Sequence, residues 1–194
     1  MKHFFINLLF TSVALSSIPT LDYNEWISLQ KGDISIAYTE KEYTWCFSMN
    51  TFDNKMEDLL NIIEDVENYH QIFDSIVKST RDKNDIVHIM VDYPIPLSDR
   101  DYVVKFDKIL KPQEIIYRFH SATPFIIPED ENYIRLNNAA GEWRLKDLNN
   151  GKTLVSYTWN GELKGSAPMW ILKKAWIRQC NEIMINLKER LENK

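Results

Sequence analysis

Between two apolar runs the chain reads YPIPLSDRDYVVKF, from Tyr93 to Phe106, with Ser98, Asp99, Arg100 and Asp101 in immediate succession. Such a cluster could be a catalytic site, the anchor for a ligand head group, or the fastening of a turn. Arg100 is its sharpest feature, since a guanidinium offers forked donors to an anionic or carbonyl partner. Pro94 and Pro96 mark an edge or a turn rather than the wall of a cavity. The reading that follows is structural: Arg100 pairs with a carboxylate or caps backbone carbonyls, and so fixes the turn into the next strand.

The other residues able to do chemistry form no recognisable site. His70, His88 and His120 are scattered, and His88 within a strand pattern reads as a hydrogen-bonded structural residue. No Gly-rich phosphate loop is present, and no His or Cys is spaced for nucleophilic work. Cys46 and Cys180 have no Cys or His at ligand spacing, so no metal site is expected, and no cofactor motif is found. Both cysteines sit among apolar residues, which favours two buried thiols over a disulfide. Carboxylates are numerous, but nothing in the sequence pairs two of them for acid–base work.

The elements that must position these residues follow from periodicity. ISIAY (34–38) and YTWCF (43–47), within the stretch from Trp26 to Phe47, read as early strands. Asn54 with Glu57 resembles a capping box, and Met56, Leu59, Leu60, Ile63 and Val66 follow at helical spacing. Tyr69 to Phe73 adds a short helical turn. From Ile86 a strand meander begins: 86–93, 101–106, 114–119, 133–136, 141–145 and 153–159, with a hairpin signal at Asn149–Lys152. Connections this short imply antiparallel pairing. After Pro168, Leu172, Trp176, Cys180, Ile183, Leu187 and Leu191 form one apolar stripe of a long helix. That stripe needs a partner, and the face of the sheet is the large apolar surface available. The fold class is therefore α+β: a curved antiparallel sheet wrapped around a C-terminal helix, with a helical insertion after the early strands.

Tyr117, Phe119, Trp143, Tyr157, Trp159, Trp170 and Trp176 lie on elements that could line a space between sheet and helix. Periodicity alone favours a filled core; an apolar cavity with a few polar groups is the functional alternative. Composition narrows the rest. The 194 residues carry 23 basic and 28 acidic side chains, a net charge of −5 that argues against nucleic acid. Residues 1–16 have the pattern of a signal peptide: Lys2, an apolar run from Phe4 to Leu15, then small residues at Ala14 and Ser16. The expected product is exported, periplasmic or secreted, with a short segment over 17–25 and one domain over 26–194.

Three stretches together resemble the START lipid-transfer domains of the helix-grip superfamily. They are IIEDVENYHQIFDSI (62–76), PIPLSDRDYV (94–103) and YIRLNNAAGEWRLKDLNNGKTLVSYTWNGELKGSAPMWI (133–171). The resemblance implies a tunnel between sheet and C-terminal helix that holds one lipid or other hydrophobic small molecule. It implies binding and transfer without chemistry, and with it transient membrane contact; a cyclase or aromatase using the same cavity is the alternative. By the same resemblance, Phe125, Ile126 and Ile127 form a gate loop, and Arg100, Asp101 and Arg135 are structural or head-group contacts. One departure stands out. The sterol-binding branch places a second arginine six residues after the first, where this chain has Phe106. The implied cavity is therefore greasier, with Phe106 in its wall. The chain is expected to act as a monomer.

Overall fold

The computed structural model describes residues 18–122, 127–161, 163–165 and 167–193. The signal-like segment 1–16 and two gate residues, Phe125 and Ile126, lie outside the described residues.

Among the described residues ten strands form one sheet. In chain order they are β1 (Ile27–Gln30), β2 (Ser35–Glu40), β3 (Thr44–Phe52), β4 (Ile76–Arg81), β5 (Val87–Val91), β6 (Arg100–Lys111), β7 (Glu114–Ser121), β8 (Ile134–Arg135), β9 (Ala140–Asp147) and β10 (Thr153–Asn160). Their spatial order is β1-β2-β3-β10-β9-β7-β6-β5-β4. Pairing is antiparallel except for the two-residue β8, which runs parallel to β6. Between β3 and β4 lie α1 (Met56–Ile63), a single 3₁₀ turn (Val66–Asn68) and α2 (Tyr69–Ile72). The long helix α3 spans Met169–Glu192 and starts directly after Pro168.

The pleat decides which side chains meet α3. Successive residues of a strand face opposite sides, so Val155, Tyr157 and Trp159 share one face, as do Ile115, Tyr117 and Phe119, or Val87, Ile89 and Val91. All nine belong to the main core, together with Trp176, Met184 and Leu187 of α3. Fully burying one side chain of this size contributes about 1.5–3 kcal/mol, so the apolar stripe of α3 suffices to hold it in the sheet. The opposite face carries a second, small apolar cluster of Ile86, Val103 and Ala122. Close approach of neighbouring strands requires Gly141, where an added Cβ would meet the Thr158 carbonyl oxygen at 2.5 Å and the Phe119 ring at 2.6 Å.

Two expectations are corrected, and one strand is added. Asn54 does not cap α1; Lys55 occupies the cap without a side-chain bond, and the Asn54 carbonyl instead accepts a 2.8 Å bond from the Thr153 hydroxyl. The segment 133–136 joins the sheet by a parallel bridge. The strand β4 lacks any apolar alternation, since Ser79 is its one fully buried residue, and the sequence reading missed it.

Candidate functional site

The charged cluster at 98–101 splits between the two faces of the sheet. Arg100 is buried and shares the helix side with Tyr102, Val104 and Phe106. Its Nε and Nη2 donate to the Leu163 carbonyl at 2.9 and 2.8 Å, and Nη2 also reaches the Lys164 carbonyl at 3.3 Å. Nη1 donates to the Ser98 carbonyl. The guanidinium also stands 5.4 Å over the Tyr93 ring. Arg100 thus clamps the turn before β6 to the loop that leads into α3.

Asp101 points the other way. Arg135 forks onto it through Nε at 2.9 Å and Nη2 at 2.7 Å, and His88 Nε2 lies 2.7 Å from its Oδ2. Burial alone would raise the Asp101 carboxyl. The hydrogen bonds from His88 and Arg135, with the charges of both, outweigh burial and hold it below the ordinary carboxylate value. Arg135 also binds the carbonyls of Ile127 and Pro128 at 3.2 and 3.1 Å. Those bonds hold Ile127 and Pro128 at the outer face, where Ile127 packs against Ile86, Val103 and Ala122. Ile127 therefore does not gate the helix side, because the sheet itself stands between them. Asp101 and Arg135 are likewise remote from that side.

Between sheet and α3 the space is small. A cavity of about 30 Å³ is lined by Tyr69, Phe73, Ser75, Ile76, Val91, Tyr102, Trp143, Tyr157, Gln179 and Ile183. The implied open tunnel is instead filled by aromatic rings. Trp143 stacks on Tyr157 at 4.3 Å and on Phe73 at 6.1 Å, while Phe119 lies 6.3 Å from both Tyr157 and Tyr102. The cavity continues outward. Ser75, Val91 and Gln179 also line a vestibule of about 110 Å³, whose rim holds Asp74, Asp92, Arg178 and Glu182. Pro94, Ala175 and Arg178 then join the vestibule to a surface groove of about 280 Å³, walled by Ile95, Pro96, Leu97, Trp170 and Ile171. A path thus leads from the surface to the aromatic interior, between the β5–β6 turn and the N-terminal half of α3.

Polar side chains close this path. Gln179, Glu182 and Asn186 share one face of α3 at i, i+3 and i+7. The Tyr93 hydroxyl donates to Gln179 Oε1 at 2.8 Å, the Ser75 amide to Glu182 Oε1 at 2.7 Å, and the Asp74 amide to Asn186 Oδ1 at 3.2 Å. On the opposite flank Gln30 and Asn181 exchange two bonds of 2.9 Å. Inside, the Tyr69 hydroxyl donates to the Ile63 carbonyl at 2.5 Å. Burial pushes the phenols of Tyr69, Tyr93, Tyr102 and Tyr157 upward, so all four stay protonated.

Of the aromatics expected around the space, Trp143 and Tyr157 line the cavity. Tyr117, Phe119, Trp159 and Trp176 are core residues outside its wall. Phe106 is half-buried and stacks on Tyr117 at 4.8 Å, on the helix side but away from the cavity. Trp170 is 61% exposed in the first turn of α3, because the apolar stripe begins one turn later; it walls the surface groove instead. The sequence reading missed Tyr93, Tyr102 and Gln179. Strand parity with Phe106 could have found Tyr102, and the i, i+4 spacing to Ile183 could have found Gln179.

No family model matches the chain. An uncharacterised protein of Pseudomonas aeruginosa is 33% identical over 81 residues, which cover 42% of this chain and 40% of that protein's length. Solved structures match far more of it. Human StAR-related lipid transfer protein 5 superimposes with a TM-score of 0.78 at 12% identity, over 89% of each chain. A STAR-related lipid transfer protein from Xanthomonas axonopodis gives 0.74 at 17% identity, over 87% of this chain and 99% of that one. A START superfamily protein from Mycobacterium smegmatis gives 0.56 at 14%, over 77% and 97%. At these identities the likeness is one of fold: the chain has the START-like helix-grip architecture.

Proposed function

We propose that this chain binds a hydrophobic small molecule between the sheet and α3, and carries it to or from a membrane. One observation carries the reading. The apolar surface groove, the vestibule and the aromatic interior share lining residues in series, so the fold holds a route inward for an apolar guest. The lipid-transfer proteins of similar fold support the same class of ligand.

Ligand pockets commonly measure about 300–1,000 Å³, so the interior must expand by parting its rings and releasing the side-chain bonds along α3. The mouth of the route suits a membrane surface. Ile95 is 96% exposed, Trp170 61% and Met169 41%, while Lys174 Nζ stands 5.1 Å over the Trp170 ring. Such an apolar tip with a flanking cation favours shallow insertion at the lipid interface. In this reading the protein works as a monomer outside the cytoplasm, its first 16 residues removed on export.

The test has two arms. Uptake of Nile red, followed by fluorescence, reports binding; exchange of a fluorescent lipid between donor and acceptor vesicles reports transfer. Ile95→Asp with Trp170→Ala is expected to slow transfer and leave uptake intact. Absence of uptake by the unaltered protein would overturn the reading. N-terminal sequencing of the protein recovered from the periplasm or medium tests export.

A further inference from the structure

At the mouth of the route the local charge opposes the charge of the whole. The chain carries a net −5. Yet Lys174 and Arg178 line the surface groove between the β5–β6 turn and α3, and among the described residues no carboxylate does. Both cations are exposed. Lys174 Nζ stands over the Trp170 ring, and among the described residues neither cation belongs to an ion pair. The rest of the lining is apolar, with Ile95 and Trp170 open to solvent.

This combination selects a partner. Exposed apolar side chains gain by leaving water, and an indole is at home where hydrocarbon meets head groups. Lysine and arginine can lay their stems along the apolar surface and extend their charges to phosphates. At physiological ionic strength a charge is screened beyond about 8 Å, so the groove's own cations outweigh the remote acids of the chain. The three carboxylates of the vestibule stand one step farther along the route and do not line the groove. Asp74 lies between α2 and β4, Asp92 directly after β5, and Glu182 one helical turn beyond Arg178, with its Oε1 taken by the Ser75 amide. A lipid phosphate at the groove therefore meets cations first. A second copy of this chain fits less well, because a two-fold contact would set Lys174 and Arg178 against their own equivalents.

We infer that this groove docks on the anionic leaflet of a membrane, with Ile95 and Trp170 among the acyl chains and Lys174 and Arg178 against the lipid phosphates. This rests on the hydrophobic-ligand reading above and specifies the surface where the exchange takes place. Binding to that surface needs negative lipid charge, and apolar insertion alone does not hold the protein there.

Sedimentation of the purified protein with vesicles tests the assignment, using dioleoyl phosphatidylcholine alone or mixed with dioleoyl phosphatidylglycerol. The mixed vesicles are expected to bind about thirtyfold tighter, the value of two cations at an anionic surface, and high salt is expected to erase the difference. The double variant Lys174→Gln, Arg178→Gln is expected to lose the preference, with an unchanged melting temperature showing that it is folded. Lys55→Gln with Lys152→Gln changes the net charge equally, but beside the hairpin at the opposite end of β10 from the loop that leads into α3. That control is expected to keep the preference. Equal binding to both vesicles, binding to neither, or an equal loss in the control overturns the inference. So does a dimer that Ile95→Asp returns to monomer in a protein that ignores vesicles. Uptake of Nile red without vesicles is measured alongside: if it persists, the hydrophobic-ligand reading stands whatever the vesicles show, and if it fails, that reading falls by itself.

Discussion

The Tyr93 hydroxyl and Gln179 Oε1 lie 2.8 Å apart, joining the β5–β6 turn to α3 across the path into the interior. Both residues line the vestibule, and Gln179 reaches the inner cavity as well. One neutral hydrogen bond therefore spans the opening through which a guest would pass, next to two further ties from Ser75 and Asp74 to the same helix face.

Replacing Tyr93 with Phe removes this latch and keeps the ring under Arg100. The expected cost is about 1 kcal/mol of stability, the net worth of one such bond. Nile red is expected to enter and leave faster, with its affinity little changed. Stopped-flow fluorescence checks the rates; unchanged rates would mean that the opening lies elsewhere.

Arg100→Ala leaves the Leu163 and Ser98 carbonyls without their buried donors and frees the loop before α3. A loss of about 2–4 kcal/mol is expected, since hydrogen bonds from charged groups exceed neutral ones and several are lost together. Denaturant unfolding measures it. Selectivity among bound molecules is expected to persist, because Arg100 does not line the inner cavity. A change of selectivity at full stability would reassign Arg100 to the ligand.

The Asp101–Arg135 pair on the outer face predicts a pH dependence. The folded Asp101 carboxyl sits below its ordinary value of 3.8, so its contribution is fully present above that value. It is lost as pH falls through the lower, folded value. Arg135→Ala leaves the buried Asp101 carboxylate with His88 as its remaining side-chain partner and is expected to cost about 3 kcal/mol at neutral pH. The gap between this variant and the unaltered protein is expected to shrink as pH falls below 4, which thermal melts across that range would follow.

How far these features can be read from sequence depends on their range. Alternation in Thr153–Asn160 and the stripe from Leu172 to Leu191 reveal sheet and helix, because each side-chain pattern is set by its own local geometry. The strand Ile76–Arg81 escapes, since Ser79 is its one fully buried residue and its hydroxyl is tied to the Val66 carbonyl rather than to an apolar core. The partners of Arg100 and Asp101 escape for another reason. Leu163 and Arg135 are 63 and 34 residues away, and only the closed sheet brings them near. The position of Ile127 follows from the same long-range bonds, so the face it covers is not legible in its own neighbours in sequence. The mouth at Pro94–Leu97 is hidden within a stretch whose prolines and charges read as a turn. It is a turn, and also one wall of the route inward.

Both thiols are buried, and neither is joined to the other. Burial pushes Cys180 up to about 12 and Cys46 well above its ordinary value. Iodoacetamide at pH 8 is expected to leave the folded protein unmodified and to label two cysteines after unfolding. Labelling of Cys180 in the folded protein would show that α3 lifts from the sheet on the timescale of the reaction.

The central claim is that the space between the sheet and α3 takes up an apolar guest. Native mass spectrometry of the protein purified from its own cells, without detergent, measures this most directly. The account predicts a one-to-one complex with a hydrophobic molecule that organic extraction releases, and its loss in an Ile183→Trp variant that fills the cavity. A bare polypeptide mass, joined to no uptake of Nile red, would contradict it.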